Sequence, residues 1–478
     1  MRRWSSLFVL VLCAAGCSSS STNQTTKECS GGEIKSCEHS TGCVAEKACD
    51  GMVFGECLCV NSGGAGGTSS GGSGGSNAGG SNAGGSNAGS NAGGSGGTSG
   101  VAGSGGTGGT AGAPTCTSEQ KLCDGKCEAL DDPNKGCGGL SCDPCPHGNG
   151  TAVCETDGAC GVACGTDALL CDGACVSSKS DAKNCGYCGH DCGPGACLMG
   201  ACQPFTVATP KDPLGIAADG TDVYWANGEG GAIERAPRGT TGSATSVATG
   251  LTNPKDLVLV GDEVVFIEET ASGRVGKVAK IGGNITDVAA GLTPTQLTGD
   301  SAGLFWTTSA SIFNGTDSRG AKNAQGMTLD GTHVYFSEAF NGALVRMPRD
   351  LASAESKLTL TTSQVNPTAV AVDDTQLYWT ARDASGGVFS IPKSGGAIRT
   401  LDSGGEPWDV EVDATHIYWL SRLPVGQLKR APLSGSPVES VADTPGNVHS
   451  LVVTSDALYW TVQGSGGSNG RVLGVMKP

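Results

Sequence analysis

From residue 205 to the C-terminus, short apolar runs alternate with polar turns at a near-constant interval. In each run two large apolar residues stand side by side: Tyr224–Trp225, Val265–Phe266, Phe305–Trp306, Tyr335–Phe336, Tyr378–Trp379, Tyr418–Trp419 and Tyr459–Trp460. Eleven positions before each pair lies Pro213, Pro254, Pro294, Ala324, Pro367, Pro407 or Val448, giving steps of 41, 40, 30, 43, 40 and 41. A complete unit carries four short strand signals; the first reads "GIAAD", "DVYWAN", "AIERAP" and "TSVAT". Neighbouring residues of a strand point to opposite faces, so a doubly aromatic strand must be covered on both sides. A two-sheet sandwich leaves one face of each strand to water. A sheet wedged between two neighbouring sheets does not, and four-stranded repeats of about 40 residues are propeller blades.

Ring closure follows from the ends of this block. The last unit holds three strand signals, "SLVVTSD", "ALYWTV" and "RVLGVMK", and lacks a fourth. "FTVAT" at 205–209 matches "TSVAT" at 245–249, so the first strand is expected to complete the last blade and leave no open edge. The expected fold is all-β: a seven-bladed β-propeller over 203–478, preceded by small disulfide-rich modules and a disordered Gly/Ser linker. Because the third unit is short, its outer strand is expected to be missing or irregular, and a six-bladed ring with one degenerate unit is the alternative.

Composition changes sharply before residue 205. Residues 1–17, "MRRWSSLFVLVLCAAGC", combine two arginines, an apolar run and small residues ahead of Cys17, a secretion signal too short to span a bilayer as a mature helix. Six cysteines fall in 27–60, a small cysteine-rich module. Residues 61–115 are Gly, Ser, Asn, Ala and Thr, which cannot bury a core. Such a tether spans roughly 40 Å. Sixteen cysteines then form two repeats, 116–160 and 161–202, with "LCDGKC" at 122–127 matching "LCDGAC" at 170–175. An even count in an exported chain reads as disulfides, and eight per repeat leave many pairings open. Cys142 with Cys145, and Cys185 with Cys188, have zinc-knuckle spacing, but no His pair completes a ligand set.

Three resemblances add to this reading. "AAGC" at 14–17 resembles the lipobox of Gram-negative bacterial lipoproteins, departing from it at Ala14. That resemblance implies acylation, palmitate included, of Cys17, a membrane partner through the acylated Cys17, and an outer-membrane or cell-surface location. Ordinary cleavage near Gly16 and secretion is the alternative. "CGYCGHDC" at 185–192 resembles the cysteine-rich repeats of stigma-specific-protein-like domains. "YWTA" at 378–381 and "YWTV" at 459–462 resemble YWTD repeats, and "PLGIAAD" at 213–219 is similar to NHL repeats. Both families form propellers; the Asp of YWTD is absent from every unit.

Charge and side-chain chemistry narrow the function only in part. The net charge is −16 and no Lys/Arg stripe runs along the chain, which argues against a nucleic-acid partner. Ligands of propellers meet the end of the central channel. The residues expected there are Lys255, Asp256, Trp408, Asp409 and His449 at the entry to the "GIAAD"-type strand, with Glu268, Glu338, Arg382 and Arg422 in or beside the following loop. Trp408 is the one propeller Trp outside the aromatic pairs. An aromatic platform beside carboxylates and cations suits a glycan, a peptide or a protein. His333 and His416 occupy equivalent turn positions and are expected to be exposed rather than a metal pair. No catalytic set, metal or cofactor is expected from spacing, and a monomer is expected. The leading expectation is a ligand-binding surface lipoprotein without catalysis. A propeller enzyme of lactonase, lyase or sugar-dehydrogenase type and a structural envelope spacer are the alternatives.

Overall fold

The structure, a computed structural model, describes residues 114–478 except 140, 243, 316, 384–385 and 465–468, together with the backbone of 34–38, 44–48 and 58–59. The chain divides into two compact units, Met1–Gly106 and Thr107–Pro478. In the first, Ile34–Glu38, Val44–Ala48 and Leu58–Cys59 pair as one antiparallel sheet. The expected signal segment with Cys17 and most of the expected linker at 61–115 lie outside the described residues.

The second unit begins with the tandem cysteine repeats. Their sixteen cysteines form eight disulfides, four in each repeat. The first repeat joins Cys116–Cys127, Cys123–Cys142, Cys137–Cys154 and Cys145–Cys160. The second joins Cys164–Cys175, Cys171–Cys188, Cys185–Cys197 and Cys192–Cys202. Both follow one order: first cysteine to third, second to fifth, fourth to seventh, sixth to eighth. Each "CDG" turn closes a hairpin, with Asp124 at φ 49° and Gly125 at 78°, and Asp172 at 49° and Gly173 at 80°. A two-residue hairpin loop requires left-handed backbone at both positions, which Asp and Gly tolerate.

From Phe205 the chain forms seven four-stranded antiparallel sheets. Blade one is Pro213–Ala218, Asp222–Asn227, Ala232–Pro237 and Thr245–Thr249. In the last blade Phe205–Ala208 pairs with Arg471–Met476, placing Phe205 opposite Gly474 and Thr206 opposite Leu473. The ring is therefore closed by its own first strand, and the six-bladed alternative is excluded. The short third unit keeps all four strands, Gln296–Asp300, Gly303–Thr307, Ser311–Phe313 and Ser318–Gly320. Its outer strand is present; the last two strands are simply three residues long, which accounts for the step of 30.

The aromatic pairs make the blade interfaces. Tyr224 packs with Leu257 and Phe266 of blade two, while Trp225 on the opposite face packs with Phe205, Val207 and Tyr459 of blade seven. The same relation recurs around the ring: Val265 with Trp306, Phe305 with Phe336, Tyr335 with Trp379, Tyr378 with Trp419 and Tyr418 with Trp460. The first member of each pair thus faces the next blade and the second faces the previous one. All of these rings are buried. Each contributes about 1.5–3 kcal/mol of burial free energy, so the interfaces dominate the stability of the ring. The second cysteine repeat joins the same core, because Cys185, Cys192, Cys197 and Cys202 pack with the blade six–seven cluster. His190 bridges the two: its Nδ1 lies 2.5 Å from the Cys185 carbonyl and its Nε2 2.9 Å from that of Lys477.

The turn before each aromatic pair has its own chemistry. In "DGTHVYF" the Asp330 carboxylate accepts the N–H groups of Thr332 and His333 at 2.8 Å each and the Tyr335 hydroxyl at 2.8 Å. Lys393 of the next blade donates to the same carboxylate at 2.8 Å. Asp219 with Tyr224 and Lys280, and Asp413 with Tyr418 and Lys477, repeat the arrangement. Arg349 on Asp300 and Arg238 on Asp456 supply comparable links between neighbouring blades. Burial alone would raise these carboxyls, but the ammonium group and the turn N–H donors hold Asp219, Asp330 and Asp413 well below the usual range. A polar turn leads into paired aromatics because one carboxylate ties the turn, the tyrosine and the adjacent blade together.

Candidate functional site

The first strands of the blades pack against one another around a central channel of about 670 Å³. They enter the ring at the end where the loops between second and third strands also lie, and that end is the mouth. The opposite, turn end carries the Asp-centred links. The second cysteine repeat sits there, against Asp413, Ser455 and Lys477. His333 and His416 are also at the turn end, half-buried on different blades. His333 contacts Glu355 at 3.4 Å and His416 contacts the Thr415 hydroxyl at 2.9 Å.

The nine candidate residues separate into two groups. In the first, every charge already has a partner. Lys255 donates to Glu269 at 2.8 Å. Glu268, buried at the end of its strand, binds Arg274 and the Thr252 N–H, while Arg274 also reaches Asp287 at 2.9 Å. Glu338 accepts the Lys322 N–H at 3.0 Å and the Asn341 amide at 3.1 Å, and pairs with Lys357. Burial works against its charge, but these donors hold its pKa below the ordinary value. Glu268 and Glu338 are clasps within their own blades.

Asp256 and Asp409 line the channel, yet their oxygens are engaged by backbone. Asp256 accepts the N–H groups of Leu257 at 2.9 Å and of Leu297, on the next blade, at 3.0 Å. Asp409 accepts those of Val410 at 2.9 Å and of Leu451, again on the next blade, at 2.7 Å. Blades four and seven make an equivalent link with a hydroxyl one place after the aromatic pair. Ser337 donates to the Thr368 carbonyl at 2.6 Å and Thr461 to that of Leu214 at 2.6 Å. In blade five Thr380 stays within its own sheet, binding the Thr368 hydroxyl at 2.9 Å and accepting the Ala369 N–H at 3.1 Å. Blades two and six have Ile267 and Leu420 at that place, and in those blades the aspartate takes over. Enclosed on all sides but the lumen, Asp256 and Asp409 are raised by burial to about 6. Glu411, two residues beyond Asp409 and so on the same strand face, is lifted by burial and then by the Asp409 charge to about 8.

The second group is Arg382, Trp408, Arg422 and His449. The guanidinium carbons of Arg382 and Arg422 lie 3.1 and 3.0 Å from the centre of the Trp408 ring. Two guanidiniums cannot share one face at that height, so they cover opposite faces. Arg422 is anchored to the Val448 carbonyl by Nε at 3.0 Å and an Nη at 2.7 Å. Arg382 has no such anchor: its Nε is buried without a partner, and among the described residues no acceptor takes a hydrogen bond from its guanidinium. Burial draws both arginines down to about 10, which leaves them charged at neutral pH. The His449 ring centre is 6.3 Å from that of Trp408. Burial first, then Lys255, Arg422 and Arg382, press His449 down to about 3, so it is neutral, and its buried Nδ1 has no hydrogen-bond partner.

The sequence did not single out Glu406 and Glu411. Glu411 was accessible from its period-two relation to Asp409. Glu406 acts on both arginines through space, which depends on loop shape. Among the described residues the sets of three converging metal-type ligand atoms are Cys137, Cys145, Cys160 and Cys185, Cys192, Cys202. All six are half-cystines, whose sulfurs are committed to disulfides.

No family model matches the chain, and no curated protein does. Solved structures do resemble it. Virginiamycin B lyase from Staphylococcus aureus aligns at 15% identity over 58% of this chain and 98% of that one, with a TM-score of 0.47. A putative oxidoreductase (glucose dehydrogenase) from Thermus thermophilus aligns at 15% identity over 57% and 99%, with a TM-score of 0.38. A nidogen/laminin complex aligns at 17% identity over 48% and 82%, with a TM-score of 0.33. These are likenesses of fold alone.

Proposed function

We propose that the chain is a non-enzymatic cell-surface lipoprotein that binds a glycan, peptide or protein at the mouth of its propeller. The observation that carries this reading is the Arg382–Trp408–Arg422 stack. Two cations flank one indole, and neither pairs with a carboxylate among the described residues. A guanidinium N–H that is buried without an acceptor, as Arg382 Nε is, is costly unless something else supplies one. The other charged candidates are consumed by the fold, which leaves the stack and His449 as the groups available to a ligand. The address rests on the signal segment and Cys17, with anchoring by more than one acyl chain.

Glycan and peptide arrays probed with the full chain, and repeated with Trp408→Ala, test the binding reading. Specific hits lost in the variant support it; hits that survive the substitution refute it. Cys17→Ser should move the protein from the membrane to the soluble fraction, and unchanged fractionation would refute the anchor. An enzymatic reading has one observation in its favour, the neutral His449 with a free Nδ1, and it requires turnover that His449→Ala abolishes.

A further inference from the structure

The stack on Trp408 says more about the ligand than that one exists. An indole offered to a sugar must present an open face, and both faces of Trp408 are closed by guanidinium groups. Recognition falls instead to the outward N–H edges of two cations held about 6 Å apart across the ring. Those edges are planar donor arrays that match a carboxylate. Beside them, His449 Nδ1 is a further buried polar atom without a partner.

The loops beside the stack carry exposed apolar side chains together with Glu406, whose carboxylate acts on both arginines. Leu423 and Val425 follow Arg422 in the blade-six loop and are 43% and 60% exposed. Val365 is 61% exposed and precedes Asn366, whose side chain holds the Arg382 carbonyl at 2.9 Å. Phe340, 84% exposed, projects from the blade-four loop. Apolar side chains around a central cationic pair are the complement of a peptide in which an acidic residue is flanked by apolar ones. A polysaccharide acid would bring the carboxylate and a C–H face for Phe340, but no apolar side chains to cover Val365, Leu423 and Val425.

We propose that the mouth is a receptor site for an acidic peptide segment. A Glu or Asp carboxylate is taken by Arg382 and Arg422 on either side of Trp408, and neighbouring apolar side chains of the peptide rest on the Phe340–Val365–Leu423–Val425 rim. This rests on the reading of the mouth as a ligand site. Arg382 is the deciding residue, because Arg422 spends two of its donors on Val448 while among the described residues no acceptor takes a hydrogen bond from the Arg382 guanidinium.

The test uses the full chain in detergent with labelled twelve-residue peptides. One set carries a central Glu flanked by Leu and Phe, a second has Gln in place of that Glu, and a glucuronate oligosaccharide serves as the third probe. The Glu set should bind at least about tenfold more tightly than the Gln set, the worth of a charge-assisted contact. Arg382→Gln should erase the difference, and Val365→Ser, at an exposed position, should weaken the Glu set without lowering the melting temperature. Equal binding of the Glu and Gln sets, or preference for the oligosaccharide, overturns the peptide proposal. In either case, if Trp408→Ala abolishes that binding, the mouth remains a ligand site. Binding of any probe that is indifferent to Trp408→Ala and Arg382→Gln overturns both readings.

Discussion

Phe205→Ala isolates the closure of the ring. Phe205 is 6% exposed and meets Tyr459 edge-on, with ring centres 6.3 Å apart and planes at 85°. Removing the ring takes away roughly 120–150 Å² of buried apolar area, about 3–4 kcal/mol at 25 cal/mol per Å². The lost edge-to-face contact adds on the order of 1 kcal/mol. The total of about 4 kcal/mol lies within the usual cost of truncating a core Phe. In a domain of this size that corresponds to a fall in melting temperature on the order of 10 °C. Gly474 sharpens the test, since a Cβ there would lie 2.7 Å from Phe205 Cζ and 2.8 Å from Tyr459 Cε1. Gly474→Ala alone should therefore destabilise by crowding. Combined with Phe205→Ala it should cost less than the two changes summed, because the Phe205 part of the crowding is then gone and only Tyr459 remains. Scanning calorimetry with urea titration followed by Trp fluorescence reads all three variants. A shift below about 2 °C for Phe205→Ala, or strict additivity in the double variant, would show that the first strand does not close the ring as described.

Three further outcomes follow from the same contacts. Asp330→Asn should cost about 2 kcal/mol at neutral pH, because it discharges a carboxylate that serves two N–H groups, Tyr335 and Lys393. The folded pKa is depressed, so the Asp330 contribution is complete above its unfolded value of about 4 and is lost as pH falls through the folded one. The gap in melting temperature between wild type and variant should hold from pH 7 to about 5 and narrow below about 4; a gap constant down to pH 2 would contradict the linkage. Asp409→Ala should destabilise by about 1–3 kcal/mol, and adding Leu420→Thr should recover part of the loss by copying Thr461, which accepts the Ser450 N–H and donates to the Leu214 carbonyl of the next blade; no recovery in thermal melts would mean the hydroxyl and the carboxylate are not equivalent. His190→Ala should free the second cysteine repeat from the Lys477 end of the ring, seen as faster limited proteolysis around 203–205, and an unchanged cleavage rate would deny the bridge its role.

The parts of this architecture that were legible in the sequence share one property: they repeat. Tyr224–Trp225 and its six counterparts impose the same two-sided burial in every unit, so period and count were enough to place the blades. The short third unit misled only about its outer strand, because three residues of "SRG" carry no strand signal of their own. The matching "CDG" hairpins revealed the tandem repeats, whereas the disulfide order depends on through-space distances that spacing does not encode. The candidate site was legible as a location but not as a set of roles. Glu268, Glu338 and Lys255 looked available until their partners Arg274, Lys357 and Glu269 were in place. Asp256 and Asp409 bind the backbone of the next blade at Leu297 and Leu451, a link that appears only when the blades are stacked. The pairing of Arg382 and Arg422 across Trp408 depends on loops from two blades converging.

The position of the second cysteine repeat has a mechanical consequence. Cys202 is three residues from Phe205, so a pull arriving from the N-terminal side would, on an undocked module, peel the first strand away from Arg471–Met476. Docking changes the load path. The disulfides tie Cys202 to Cys192, and His190 contacts the Lys477 carbonyl just past the end of the strand that Phe205–Ala208 pairs with, on the Phe205 side. Tension is shared between both members of that pair, which resists shear instead of unzipping one bond at a time. The cysteine repeat thus works as a strain relief at the seam of the ring.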